Sequence, residues 1–147
     1  MKKPDGPVKR KLDATYEKLN RRDYVHPDPL EFLYPFEDAS DREIVGLVAS
    51  ALAYGKVASI LKSVSFVLKI MEQSPSAFLE ETPYEIIKNK MDGFVHRFAD
   101  CERASSFLYA TGKVVQEYGS LGECFMHGQK KDDGTVFSGL CFFAESI

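Results

Sequence analysis

Apolar side chains in this chain recur at intervals of three and four residues and not at two. That spacing lays one face of an α-helix against a core. Ile44, Val45, Leu47, Val48, Ala51 and Leu52 cover a wide helical face, and Val57, Ile60, Leu61, Val64, Val67, Leu68 and Met71 mark a second. Tyr54-Gly55-Lys56 separates them, with Gly55 suited to the left-handed position that follows a helix end. The result is a helix, a tight turn and a helix within about thirty residues, which fits an αα-hairpin or an angled helix pair.

Start and stop signals divide the rest of the chain in the same way. Gly6-Pro7 opens a first helix with Val8, Leu12, Tyr16 and Leu19 on one face. The stretch Asp23 to Pro29 breaks it, and Asp28 can cap a short helix with Pro29 at its first position. Ser40-Asp41-Arg42-Glu43 reads as a capping box. Ser74-Pro75 and Thr82-Pro83 each place a cap residue before a proline at the first helical position. Asp92-Gly93 stops one helix, Asp100 caps a long one that stops at Gly119, and Ser120 with Glu123 opens another. After a polar loop, Val136, Phe137, Leu140, Phe143 and Ala144 form a last apolar stripe. No stretch alternates convincingly enough to be a strand. The expected fold is an all-α orthogonal bundle of seven or eight helices.

The 147 residues are 44% hydrophobic and 28% charged, which excludes a disordered chain and bounds the answer to one domain, or one domain with an arm. Residues 1–22 hold eight basic and three acidic side chains, net +5; residues 23–147 hold 11 basic and 19 acidic, net −8. An acidic body does not coat nucleic acid by net charge. The basic arm reads first as a solvated helix face and secondly as a local phosphate contact. The longest apolar run, Ile44 to Tyr54, is too short to span a bilayer, and no apolar segment follows the basic N-terminus as a secretion signal requires. Three separated cysteines, Cys101, Cys124 and Cys141, argue against a disulfide framework and for a reducing cytoplasm. Cys124 and His127 have ligand-like spacing but no companion pair, so no metal is expected. No Walker, dinucleotide or Ser-His-Asp motif points to a cofactor or a nucleophile.

Three strings carry a resemblance: Tyr24-Val-His-Pro-Asp-Pro-Leu-Glu-Phe-Leu-Tyr34, Asp41-Arg-Glu-Ile-Val-Gly-Leu-Val-Ala-Ser-Ala-Leu-Ala-Tyr-Gly-Lys56 and Gly93-Phe-Val-His-Arg-Phe98. Together they resemble the bacterial and archaeal family of conserved hypothetical proteins catalogued as domain of unknown function 2400, over the chain from about Leu12 onward. Its members are typically longer, continuing into a Lys-Arg-rich segment and a Pro-Leu-Asp-Thr-His string that this chain does not contain. The resemblance implies that residues 23–147 form a helical domain lacking its C-terminal half. The apolar stripe at Val136–Ala144 fits that expectation, and it equally fits a helix that closes the bundle.

A more distant similarity is to the helix-hairpin-helix DNA glycosylases, whose buried helix ends in a polar turn pushed into the duplex. Ala53-Tyr54-Gly55-Lys56 stands in that place, without the usual Gln-Gln-Thr type of residues. Gly93-Phe94-Val95-His96-Arg97 is similar to their Gly-Phe/Tyr-x-x-Arg/Lys segment, and Glu117-Tyr118-Gly119 to their helix end. The Gly-rich phosphate hairpin and the catalytic Lys or Asp after it are missing. The resemblance therefore implies DNA binding or a repair-like role for an intact relative, and no activity in this chain alone.

The nucleic-acid candidates are Tyr54, Gly55, Lys56, His96 and Arg97. Three of them have a plainer reading. Tyr54 packs its ring in the bundle rather than on a base. Lys56 is simply exposed, although a cation at a helix start opposes the dipole. Arg97 pairs with an acidic neighbour such as Asp100. His26 is a loop histidine bonded to backbone rather than an acid–base partner of Asp28. The alternative function is a non-catalytic module that binds a protein or itself through the C-terminal stripe.

Overall fold

The computed structural model describes residues 6–147; Lys2 and Lys3 of the basic arm lie outside the described residues. The fold is all-α, with eight helices among the described residues. They are α1 (Pro7–Leu19), α2 (Ala39–Ala51), α3 (Val57–Met71), α4 (Pro75–Glu81), α5 (Tyr84–Lys90), α6 (Cys101–Tyr118), α7 (Leu121–Gly128) and α8 (Phe137–Ser146). Short 3-10 turns at Arg22–Tyr24 and Pro29–Leu33 join α1 to α2. As the sequence suggests, Asp28 caps the second of these, accepting from the Leu30 N–H.

One expectation fails between α5 and α6. Val95–His96 (β1) and Ala99–Asp100 (β2) pair antiparallel, with Val95 opposite Asp100 and His96 opposite Ala99. The stretch is too short for alternation to register. Arg97 and Phe98 form its two-residue loop, and Arg97 takes a positive φ of 52°, which such loops demand of a central residue.

Helices α2 and α6 form the centre of the bundle. Ile44 and Val45 are fully buried, and α2 packs against α3, α4, α7 and the Pro29–Leu33 turn. Its N-terminus corrects another expectation. Asp38, not Ser40, is the cap, accepting from the Ser40 and Asp41 N–H groups. The carboxylates of the supposed capping box are used on other helices. Asp41 accepts from the Ser76 N–H at 2.8 Å, the Ser76 hydroxyl at 2.7 Å and the Ser74 hydroxyl at 3.3 Å, at the start of α4. Glu43 accepts from the Leu121 and Gly122 N–H groups at 2.9 and 3.2 Å, at the start of α7. Backbone N–H groups at a helix start have no partner within the helix and carry partial positive charge, so each carboxylate ties a neighbouring helix to α2.

At Thr82-Pro83 the proline itself occupies the cap position and Thr82 ends α4, so α5 begins one residue later than expected. Ser74, Asp100 and Ser120 cap α4, α6 and α7 with their own side chains, and Gly119 ends α6 in the left-handed conformation. Helix α6 crosses α4 at Gly112, where a Cβ would overlap the Leu79 carbonyl.

The outer helices differ from this core. None of the residues of α1 is buried, and Leu12 on its apolar stripe is 64% exposed. Helix α8 packs on α7, with Phe142 against Gly128. Its stripe of Val136, Phe137, Leu140 and Ala144 remains exposed while Phe143 is half-buried. No helix among the described residues is long and apolar enough to cross a membrane.

Candidate nucleic-acid interface

The turn after α2 and the β1–β2 hairpin meet at one corner of the bundle. Gly55 has φ 110°, a conformation that side chains rarely adopt. Its bareness also serves packing, because a Cβ there would lie 2.9 Å from Cδ of Arg97. The turn and the hairpin loop are thus pressed together, with the Arg97 side chain lying across Gly55.

His96 fastens them. Its ring is 2% exposed, its Nδ1 is 2.8 Å from the Ser63 hydroxyl of α3, and its Nε2 is 3.1 Å from the Tyr54 carbonyl. A carbonyl only accepts, so Nε2 carries the hydrogen; in the neutral ring Nδ1 then accepts from Ser63. The Tyr54 hydroxyl returns the bond, donating to the His96 carbonyl at 3.1 Å, and the two rings meet edge to face with centroids 4.8 Å apart. Each polar atom of this knot is satisfied, as burial requires. Tyr54 and His96 accordingly build the corner from within, and Gly55, Lys56 and Arg97 form its surface.

Arg97 does not pair with Asp100. That carboxylate caps α6 through the Arg103 N–H and lies 3.5 Å from the Arg103 guanidinium, which also donates to the Phe98 carbonyl. Among the described residues, Lys56, Lys62 and Arg97 enter no ion pair. A groove of ≈ 460 Å³ between α3 and the hairpin is lined by Ser59, Lys62, Phe66, Phe94 and Arg97 among others. Behind the hairpin lies a smaller apolar cavity of ≈ 110 Å³ between Val48, Leu52, Tyr54, Phe94 and Phe107.

Three residues of this corner escaped the sequence reading. Ser63 carried a signal, since it is a hydroxyl on the face that Ile60, Val64 and Val67 mark as buried. Lys62 carried none. Phe98 carries no signal beyond its apolar character, yet at the hairpin tip it is 79% exposed.

The other singled-out residues lie elsewhere. His26 bonds the Glu31 carboxylate through Nδ1 at 2.7 Å, not backbone as expected. Cys124 is buried, whereas His127 is exposed and packs on Tyr118 and Phe142. Among the described residues no three His, Cys, Asp or Glu side chains converge as a metal site would need. The three cysteines are free thiols.

An all-α bundle built around α2 and α6 is thus the class of protein the fold defines. Residues 28–147 match the family described as Protein of unknown function (DUF2400), and the chain belongs to it. Helix α1 precedes the matched residues. No curated protein and no solved structure matches the chain.

Proposed function

We propose that the corner made by the α2–α3 turn and the hairpin binds the phosphate backbone of nucleic acid. The observation that supports this most is the placement of Arg97: its guanidinium rests on Gly55 with no carboxylate partner among the described residues, beside the equally unpaired Lys56 and Lys62. Unpaired cations held on a rigid scaffold are the ordinary means of gripping phosphates. The net charge of −8 on residues 23–147 opposes a polyanion, so the affinity should be low and confined to this corner. The distant similarity to helix-hairpin-helix DNA glycosylases makes duplex DNA the first ligand to test. The similarity carries no catalytic residue over to this chain, so the proposal is one of binding alone.

The test is a salt titration of duplex binding by the chain and by its Lys56→Ala/Arg97→Ala variant. Loss of two phosphate contacts should weaken binding and flatten the slope of log K against log salt by about 1.8. An unchanged affinity and slope would sink the reading.

A second reading has its own observation. The α8 stripe stays exposed, with Phe137 70% accessible, which favours a module that associates with itself or a protein through that face. Making Phe137, Leu140 and Phe143 polar should abolish concentration-dependent association.

A further inference from the structure

We propose that α1 of one copy lies in a groove on the body of a second copy, and reciprocally, so that the chain dimerises by exchanging arms. The inference rests on the self-association reading and names the element that meets the α8 face.

The groove runs between α2, α6 and α8. It has a volume of ≈ 700 Å³ and is lined by Leu47, Phe107, Ala110, Phe143, Ala144 and Ile147, with Glu102 and Arg103 at its rim. It continues the exposed stripe, because positions 136, 140, 143, 144 and 147 fall on one side of α8 at 100° per residue. The opposite side of α8, with Gly139 and Phe142, is occupied by α7.

The intended occupant has matching form. Helix α1 presents Val8, Leu12, Tyr16 and Leu19 at the spacing by which an amphipathic helix enters an apolar groove, and all four are exposed. Lys11 and Lys18 border this stripe on one side and Lys9 on the other. The arm of residues 1–22 carries +5 and the body −8, so an arm is attracted to a body, and reciprocal exchange satisfies both copies by one two-fold operation.

The base of the arm is held so that α1 stands off its own body. The Arg22 guanidinium stacks on the Tyr34 ring at 4.6 Å from its centroid, while no residue from Pro7 to Leu19 is buried.

The experiment is sedimentation equilibrium on the full chain and on two single variants, Leu12→Glu in the arm and Ala144→Glu in the groove. Both positions are exposed, so helix content and unfolding temperature should stay at the parent values, which circular dichroism checks. The parent should dimerise reversibly. Each variant should raise the dissociation constant at least about tenfold. Raising salt from about 0.05 to about 0.5 M should weaken the parent dimer, since opposite charges steer it. A dimer indifferent to either substitution would overturn arm exchange and leave self-association standing. A monomer at every concentration would overturn both.

Discussion

Helices α1 and α2 are each 13 residues long and each carries an apolar stripe, yet they share almost nothing else. In α2 the stripe is wide and mostly buried, with Ile44 and Val45 at zero exposure, and its first two turns supply carboxylates to two other helices. In α1 the stripe is narrow, bordered by lysines, and wholly in solvent. Periodicity therefore identifies a helix with a face to bury but does not supply the partner. Width of the stripe and long-range polar bonds make the difference, and both can be tested by substitution.

The largest contrast should come from truncating the two stripes. Ile44→Ala should lose about 2–5 kcal/mol of stability, the transfer term plus the cavity it leaves. Leu12→Ala should stay within about 0.5 kcal/mol at concentrations where the chain is monomeric, because nothing around it is packed. Urea unfolding of both measures the gap. A cost at Leu12 near that at Ile44 would mean that α1 is sealed within a single chain, and the contrast would fall.

Next comes the polar side of α2. Asp41→Ala removes the acceptor for three donors at the start of α4, and a buried unsatisfied group costs about 1–3 kcal/mol. The loss should be accompanied by faster amide exchange at Ser76, whose N–H would have only water to bond. Protection at Ser76 equal to that of the parent would show that α4 holds its start without α2.

These two substitutions also mark what could be read from the sequence. Cap residues that act on their own helix were legible: Asp28, Ser74, Asp100 and Ser120 lie within three residues of the N–H groups they bind. Glu43 reads as local in its capping box and Asp41 carries no signal of its own, because their partners lie 78 and 35 residues away. Gly112 carries no legible signal for the same reason, since only the crossing with α4 explains it. At the corner, the glycine turn and the Arg97 position were visible as motifs. The inward turn of His96 was not, because it depends on Ser63, 33 residues earlier. The hairpin was missed since strands of two residues have no period to detect.

The corner offers a smaller test of the same rule. Ser63→Ala leaves Nδ1 of a buried imidazole without its hydroxyl, at a cost of about 1 kcal/mol or somewhat more. If the knot positions Arg97, nucleic-acid affinity should fall as well, with the salt slope unchanged because no cation is lost. Unaltered affinity with reduced stability would confine His96 to a structural role.

The smallest effect should come from the shortest ion pair with a clear influence on titration. Lys88 lies 2.5 Å from Glu102, and the Tyr84 hydroxyl donates to the same carboxylate at 2.5 Å. The hydrogen bond from Lys88, then that from Tyr84, holds the Glu102 carboxyl below its ordinary value of 4.5, and Glu102 in turn raises Lys88 above 10.5. A lowered acid favours the folded state above its unfolded value and loses that advantage as pH falls through the folded value. A raised base favours it below 10.5 and loses it as pH rises through the raised value. Lys88→Met should therefore lower the unfolding temperature slightly and evenly across neutral pH, and the difference from the parent should close as acid protonates Glu102. Both groups are exposed, so solvent screens the pair and added salt should shrink the difference further. Asp41, buried and bonded to neutral donors, should show no such salt dependence. A Lys88→Met loss as large as that of Asp41→Ala would mean that contact distance, not burial, ranks the polar links of this fold.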